Sequence, residues 1–264
     1  MELIVTCCQL APVIGDFAGN RARVEAAVAE AAAGGAGVIV LPELALSGYC
    51  FDSVEEARAL SVPAGWPGFA ELAALAPDAV VVLGFAELAA TGELFNSAAM
   101  LFAGHQVTYR KVHLWDREKE FFLPGSEPAP VVSTPFGRLA MMVCYDLEFP
   151  EYTRSVALRG AQLLAVPTNW PLIGRPAGQP APEVVIAMAA ARVNRMAIAV
   201  CDRQGIERGQ EWNQASTVIG PDGWPLATVD AQGRVRAELN LTGVDDKGLS
   251  ERNDLFRDRR PELY

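Results

Sequence analysis

The stretch MMVCYDLEFPE, Met141–Glu151, joins an apolar run to an abruptly polar segment. The apolar run begins at Arg138 and predicts a buried strand, and Pro150 favours a helix that starts there. Cys144 lies at the junction and has two interpretations. Free cysteine is among the most buried residue types, which favours a packing role. A thiol between a strand and a helix is also well placed to act as a nucleophile.

The composition bounds the class of protein. Apolar residues make up 51% of the 264 residues and charged residues 20%, which is typical of a globular chain with a sizeable core. This length suits one large domain or two small ones. Lysine and arginine number 22 against 32 aspartates and glutamates, so the net charge is −10. Such an acidic chain lacks the electrostatic footprint of a protein that binds nucleic acid or an anionic membrane.

The cysteines and the first residues indicate the cellular setting. The five cysteines are odd in number and form no CxxC pair, so we expect neither a disulfide framework nor a zinc site. The sequence from Met1 lacks the basic start of a signal peptide, and no uncharged apolar run reaches membrane-spanning length. We therefore expect a soluble, cytoplasmic protein.

Predicted strands and helices alternate along the whole chain. Short apolar and β-branched runs predict strands at 3–10, 38–41, 79–84, 95–102, 105–111, 138–143, 163–166, 197–201, 216–219 and 226–229. Alanine-rich or proline-initiated segments predict helices at 20–33, 69–75, 150–159 and 182–195. The alternation favours a layered α/β domain in which helices cover a sheet.

Three polar residues of different types, Glu43, Lys111 and Cys144, follow predicted strands. In layered α/β folds, ligands gather at the carboxyl ends of strands. Together, these three groups could catalyse acyl transfer. The carboxylate takes the thiol proton, the thiolate attacks a carbonyl carbon, and the ammonium stabilises the oxyanion. One alternative is three unrelated surface residues. Another is a Cys–His pair, for which only His105 and His113 are available, and neither has a fitting motif.

The three residues lie in ordered motifs that resemble the nitrilase superfamily of carbon–nitrogen hydrolases, in its amidase branch near the Nit and ω-amidase-like group. The motifs are Leu41–Leu44 with Ser47–Tyr49, Tyr109–Trp115 and Cys144–Glu151, supported by Phe95–Ala98, Val166–Trp170 and Arg259–Tyr264. The resemblance runs nearly end to end. It implies a single domain over residues 1–264 that hydrolyses carbon–nitrogen bonds other than peptide bonds without a metal or organic cofactor.

The resemblance also implies a role for each residue. Glu43 becomes the general base, Lys111 the oxyanion stabiliser and Cys144 the nucleophile, which we expect on a tight turn that exposes its sulfur. The backbone N–H of Tyr145 becomes the second oxyanion donor.

The family has a further glutamate shortly before an aromatic–Pro-Gly segment, which is Phe121–Gly125 here. Both Glu118 and Glu120 are candidates, and the family's spacing to this segment selects Glu118. Its implied role is to position the substrate amide or to assist proton transfer. The alternative is a solvated charge run over 116–120, since such runs usually lie on exposed faces.

The family fold is a four-layer αββα sandwich, in which two sheets lie between helices. Two subunits pair into an eight-layer αββααββα dimer. The resemblance therefore implies a homodimer or a higher homo-oligomer. It also implies that the tail, residues 249–264, docks on the partner subunit, where Leu255, Phe256 and Leu263 would find burial.

The residues after the nucleophile favour one branch of the family. Nitrilases typically carry Trp-Glu there, whereas this chain has Tyr145-Asp146, so nitrile hydrolysis is not expected. The pattern is similar to that of the ω-amidase-like group, except that Glu148 stands where that group has arginine. An arginine there would hold a substrate carboxylate or pair within the fold. We therefore expect a small neutral or cationic aliphatic amide, hydrolysed through a thioester on Cys144.

The remaining candidates for substrate binding are Tyr49, Asn169 and Trp170, together with Trp115 and Trp212. The alternative for the aromatic residues is a place in the core or an interface. Other functions also stay open. They are an ω-amidase, a hydrolase of N-carbamoyl amines, an acyltransferase that uses the same triad, and a binding protein that kept the fold and lost turnover.

Overall fold

The structure is a computed structural model and describes residues 2–227 and 229–263. Its strands are, in chain order, β1 (Glu2–Cys8), β2 (Val38–Val40), β3 (Val80–Leu88), β4 (Leu94–Phe102), β5 (His105–Arg110), β6 (Val131–Thr134), β7 (Gly137–Met141), β8 (Leu163–Pro167), β9 (Ala197–Cys201), β10 (Ile206–Glu207), β11 (Gln210–Glu211), β12 (Thr217–Ile219), β13 (Pro225–Ala227) and β14 (Arg234–Asn240). Its helices are α1 (Phe17–Ala33), α2 (Val54–Ala59), α3 (Gly68–Leu75), α4 (Glu118–Phe121), α5 (Pro150–Leu158) and α6 (Pro182–Asn194), with short 3-10 helices at Cys144–Glu148 and Pro261–Leu263.

Two six-stranded sheets form the centre of the fold. The strand order is β14-β1-β2-β3-β4-β5 in the first sheet and β13-β12-β9-β8-β7-β6 in the second. The strands β1-β2-β3 of the first sheet and β7-β8-β9 of the second run parallel, and the remaining neighbours are antiparallel. Parallel strands end at a common edge of each sheet, where loops can bring functional side chains together.

The two sheets pack face to face, and helices cover their outer faces. Val38 and Val40 of β2 belong to the core between the sheets, together with Leu139 and Leu163 of the second sheet. Ile39 belongs to a separate core with residues of α1 and α3. This alternation with a period of two is expected for a strand that is buried on both faces. On the second sheet, α6 contacts β9 and β12, and α5 packs beside α6.

The predicted αββα sandwich is confirmed, and most predicted elements agree with the structure within a few residues. The first helix starts earlier than predicted because Asp16 caps it, with the Gly19 N–H donating to Asp16 Oδ1 at 2.9 Å. The elements α2, α4, β6, β10, β11 and β14 lie outside the predicted set. The strand predicted at 226–229 is present to Ala227, and Thr228 lies outside the described residues.

The tail is only partly covered by its own subunit. Phe256 packs against the core between the sheets, and the Lys247 Nζ lies 5.1 Å from its ring centroid. Leu263 is 70% exposed. Docking of the tail on a partner, and the dimer itself, stay predictions, and Tyr264 lies outside the described residues. Within residues 2–227 and 229–263, no helix is long and apolar enough to cross a bilayer.

Candidate active site

The candidate site forms where strands of both sheets end. Glu43 follows β2 and Lys111 follows β5 in the first sheet, whereas Cys144 follows β7 and Asn169 follows β8 in the second. Asn169 joins the two groups, since its Nδ2 donates to the Glu43 carbonyl oxygen at 2.9 Å. The structure thus brings the three candidate residues of the sequence into one buried region between the sheets.

The backbone at Glu43 is held against a glycine of β3. Gly84 N–H donates to the Pro42 carbonyl at 3.0 Å, and Ala45 N–H donates to the Gly84 carbonyl at 2.9 Å. A Cβ atom at position 84 would lie 2.5 Å from the Cα of Glu43. The next residue, Leu44, has φ +50°, in the left-handed region that non-glycine residues rarely adopt. Glycine at position 84 is therefore required for this close approach.

Cys144 lies on a tight turn, as the sequence predicted. Its φ is +47°, and it opens the 3-10 helix that leads towards α5. A strained residue between a strand and a helix is typical of a positioned nucleophile. The expectation that this turn exposes the sulfur is wrong. Cys144 is only 5% exposed, and its Sγ lies 3.9 Å from the carbonyl oxygen of Asn169, which is brought against it by the neighbouring strand β8.

Lys111 is fully buried between two carboxylates. Its Nζ donates to Glu43 Oε1 and to Glu118 Oε1, each at 2.8 Å. Asn96 Nδ2 also donates to Glu43 Oε1, at 2.7 Å, whereas Glu43 Oε2 has no hydrogen-bond partner among the described residues. An ammonium has three N–H donors, so one remains after both carboxylates are bound. The site therefore offers one carboxylate oxygen and one ammonium proton for further contacts.

Glu118, rather than Glu120, belongs to this cluster. Glu118 is 4% exposed and accepts hydrogen bonds from Lys111, from the Tyr49 hydroxyl at 2.7 Å and from the Trp115 N–H at 3.1 Å. Glu120 is exposed and pairs with Arg117. The interpretation of this segment as a solvated charge run holds for Glu120 and fails for Glu118, which turns inward at the first residue of α4.

Burial and neighbouring charges shift the titration of the whole cluster. Burial raises the pKa of Glu43 to about 7, although the Lys111 ammonium opposes this shift. Burial lowers the pKa of Lys111, but the carboxylates of Glu118 and Glu43 outweigh it and hold the pKa above its ordinary range. Burial also raises the pKa of Cys144 well above its usual value, and Glu43 acts in the same direction. The resting thiol is therefore protonated at neutral pH and needs a base before it can attack.

Two cavities adjoin the cluster. A cavity of about 410 Å³ is lined by Tyr49, Trp115, Glu118 and Trp212, among others. A smaller one of about 130 Å³ reaches Cys144 and is lined also by Trp115, Tyr145, Glu148, Trp170 and Glu183. The predicted aromatic residues thus line cavities, although Tyr49 directs its hydroxyl to Glu118. The backbone N–H of Tyr145 makes no hydrogen bond with any residue of the described ranges, which leaves it free for an oxyanion.

Several residues at the site carried no assigned role in the sequence. Asn96, inside the apolar strand β4, holds Glu43. Asp202 accepts the Trp170 N–H at 3.0 Å, and Glu183 of α6 faces the smaller cavity. Asn96 could have been found from the sequence, because it is a polar residue in an apolar run. Glu183 could not, because its place at the cavity depends on how α6 packs. No group of three or more histidine, cysteine, aspartate or glutamate side chains within residues 2–227 and 229–263 is arranged to hold a metal ion.

A pH profile should report the carboxylate of Glu43. If this group must be ionised, kcat/KM for a small amide should rise with pH through about 7, because the profile of kcat/KM reports groups of the free enzyme. The measurement is ammonia release between pH 5 and 9. Asp202 is the matched control, since burial raises its pKa to about 7 as well. Asp202→Asn should keep the acid limb, and a profile that is flat below pH 7 in the unaltered protein would contradict the role of Glu43.

Comparisons of the sequence identify proteins that this chain resembles. The sequence model of the family described as carbon-nitrogen hydrolase matches residues 4–245. A protein named nitrilase from Pyrococcus abyssi is 33% identical over 98% of both chains, and the N-carbamoylputrescine amidase of Arabidopsis thaliana is 30% identical over 100% of this chain and 94% of its own.

Solved structures agree as well. An amidase from Nesterenkonia sp. superposes with a TM-score of 0.79 at 29% identity, covering 99% of this chain and 94% of its own. A cysteine-to-alanine mutant of that amidase has been solved in complex with butyramide.

Proposed function

The chain belongs to the carbon-nitrogen hydrolase family, and from this premise we propose that it hydrolyses a small aliphatic carboxamide to the acid and ammonia through a thioester on Cys144. The observation that carries the proposal is the contact of Lys111 with both Glu43 and Glu118 beside a buried thiol that lines a cavity. This arrangement provides a base, an oxyanion donor and a nucleophile.

Acylation begins with the free oxygen of Glu43. Oε2 takes the proton from the Cys144 thiol, and the thiolate forms a bond to the amide carbon. The negative charge that develops on the carbonyl oxygen is stabilised by the third N–H of Lys111 and by the N–H of Tyr145. When the tetrahedral intermediate collapses, the carbon–nitrogen bond breaks. The proton held by Glu43 goes to the leaving nitrogen, and ammonia departs.

Deacylation uses the same groups with water as the nucleophile. Glu43 takes a proton from the water, which attacks the thioester carbon, and Lys111 and Tyr145 again stabilise the oxyanion. The carbon–sulfur bond breaks, and the proton returns from Glu43 to the sulfur of Cys144. Glu118 and Tyr49 keep the Lys111 ammonium directed into the site through both steps.

The size of the cavity at Cys144 supports a short acyl group. Its volume is about 130 Å³, and Trp170 and Ile186 contribute apolar walls. The butyramide complex of the Nesterenkonia amidase, a related protein, supports the same size of substrate. A longer acyl chain would have to extend towards the larger cavity, which shares Trp115 and Pro171 with the smaller one.

The charge in this cavity disfavours an anionic substrate. Glu148 and Glu183 both line it, and the Glu148 side chain makes no hydrogen bond or ion pair with another residue of the described ranges. Burial, followed by the charge of Glu183, raises the pKa of Glu148, so both carboxylates resist a further negative charge nearby. This supports neutral or cationic amides over the monoamides of dicarboxylic acids.

Replacing Glu148 should relax this preference. At pH 8, the unaltered protein should hydrolyse propionamide faster than succinamate. Glu148→Gln should raise kcat/KM for succinamate by about fivefold, because one like charge several ångströms away contributes roughly 1 kcal/mol. The value for propionamide should stay within about threefold, as expected for a change that acts through charge. Glu120→Gln, which removes an exposed carboxylate, is the matched control. Faster turnover of succinamate or 2-oxoglutaramate than of propionamide by the unaltered protein would refute the substrate proposal.

The test of the function as a whole is ammonia release from a panel of substrates. The panel contains propionamide, glutaramate, 2-oxoglutaramate, an N-carbamoyl amino acid, N-carbamoylputrescine and a nitrile, with Cys144→Ala as the blank. Release from the neutral amide supports the proposal. Release confined to the carboxylate-bearing amides would favour an ω-amidase, and release from a carbamoyl compound would favour the activity named for the Arabidopsis relative. If no compound of the panel releases ammonia, the result would favour a binding protein.

The oligomeric state and the cellular location are part of the same proposal. We propose a homodimer in the cytoplasm, as the sequence predicts. The free state of Cys7, Cys8, Cys50, Cys144 and Cys201 is compatible with a reducing compartment.

A further inference from the structure

Asp146 lies beneath the turn of the nucleophile and is fully buried. Its carboxylate receives four contacts. Oδ1 lies 2.9 Å from the N–H of His113 and 2.8 Å from the Nδ1 of the same residue. Oδ2 accepts the Tyr109 hydroxyl at 2.7 Å and the Val143 N–H at 3.1 Å. Such a set of donors satisfies both oxygens of a carboxylate that would otherwise be costly to bury.

Two of these donors flank the lysine of the site. Tyr109 is two residues before Lys111, and His113 is two residues after it. Asp146 therefore holds the chain on both sides of Lys111, whereas the ammonium itself is held by Glu43 and Glu118.

The other contacts of Asp146 hold the turn of the cysteine. Its side chain accepts the N–H of Val143, and its own N–H donates to the Val143 carbonyl at 3.1 Å. These two bonds enclose Cys144, whose φ of +47° needs support from its surroundings. One carboxylate thus connects the segment that carries the lysine, from the first sheet, to the segment that carries the thiol, from the second.

We propose that Asp146 is a positioning residue, which fixes the Lys111 ammonium relative to the Cys144 sulfur through Tyr109, His113 and Val143. The inference rests on the proposed function, because it matters only if this lysine and this thiol act together. Asp146 lines neither of the two cavities, so it acts without touching the substrate. A displacement of about 1 Å between reacting groups can cost on the order of a hundredfold in rate.

Asp146→Asn tests the proposal because it keeps the size of the side chain and turns an NH₂ group towards donors. We expect kcat to fall about a hundredfold with KM within about threefold, since the groups that bind the substrate stay in place. The second readout is alkylation of Cys144 by iodoacetamide as a function of pH, with the labelled cysteine identified by mass spectrometry. Loss of the negative charge of Asp146 alone would lower the pKa of the thiol, whereas displacement of Lys111 would raise it. We expect the midpoint of alkylation to move to higher pH.

Tyr152→Phe is the matched control. The Tyr152 hydroxyl lies 3.0 Å from the Tyr109 hydroxyl and accepts the N–H of Ala129, but it does not contact Asp146. This variant should lose stability and keep both kcat and the midpoint of alkylation. If Asp146→Asn does not fold, Tyr109→Phe removes one contact of Asp146 and should lower kcat about tenfold, in line with the loss of one hydrogen bond to a charged group.

The outcomes separate the positioning role from the amidase function. If Asp146→Asn lowers the melting temperature but leaves kcat and the midpoint of alkylation unchanged, the proposal is overturned. Asp146 would then have a role in folding only. If the unaltered protein hydrolyses no amide of the panel, the proposed function fails, while a shifted midpoint in Asp146→Asn would still support the positioning of Lys111 against Cys144.

Discussion

Replacing Cys144 with alanine should abolish amide hydrolysis and leave the fold intact. Without the sulfur no thioester forms, and the loss of a nucleophile typically costs at least about 10⁴-fold in kcat. The side chain is small and lies at the end of a strand, so its removal should change the free energy of unfolding by no more than about 1 kcal/mol. Ammonia release from propionamide and the melting temperature measure the two effects.

The control for this experiment is a second buried cysteine. Cys7 belongs to the core between the sheets and is fully buried, but it lines neither cavity at the site. Cys7→Ala should therefore keep kcat while costing stability of about the same size. If Cys144→Ala retained more than about one hundredth of the activity, far above what remains when a nucleophile is lost, the thioester mechanism would be wrong.

Replacing Lys111 with methionine should remove both activity and stability. The apolar chain has a similar length but offers no proton to the oxyanion, so kcat should fall by about a thousandfold or more. The change also leaves the carboxylates of Glu43 and Glu118 buried without their cation, which typically costs about 3–5 kcal/mol. Turnover of propionamide and urea unfolding at two pH values measure these losses.

The pH dependence of this loss has a definite sign. Without the ammonium, the pKa of Glu43 in the folded state rises further above its unfolded value, because the charge of Lys111 lowers it. A carboxyl group with a raised folded pKa favours the folded state at low pH and disfavours it as the pH rises. The destabilisation of Lys111→Met should therefore be smaller at pH 5 than at pH 8.

An exposed lysine of the next segment gives the control for both measurements. Lys119→Met should change neither turnover nor unfolding, because Lys119 is exposed and makes no ion pair with another residue in the described part of the chain. Near-normal activity of Lys111→Met would contradict the assignment of the oxyanion donor. Equal destabilisation at both pH values would contradict the electrostatic account of the cluster.

The sequence predicted which residues form the candidate site better than it predicted how deeply they are buried. Glu43, Lys111 and Cys144 could be proposed as candidates because each follows a predicted strand, and the end of a strand is local information. The burial of the Cys144 sulfur depends on Asn169, which follows a different strand and is 25 residues away along the chain. No pattern within the motif around Cys144 contains that contact.

Positions that pair over long distances were also hard to predict. The alternation in Arg234–Asn240 is typical of a strand with one buried face, yet β14 takes its place only by pairing with β1 at the other end of the chain.

The proposed role of Asp146 could not be predicted from the sequence for a similar reason. Its partners Tyr109 and His113 come from the first sheet, and the contact becomes visible only when the two sheets pack.

The division of the site between two sheets has a consequence for synthesis on the ribosome. The first sheet is begun by β1 but closed by β14, after all strands of the second sheet have been made. Contacts between segments so far apart in sequence form late in folding. Every residue of the buried cluster is therefore synthesised before the strand that completes the first sheet, and we expect a chain stalled on the ribosome before residue 234 to lack the complete first sheet.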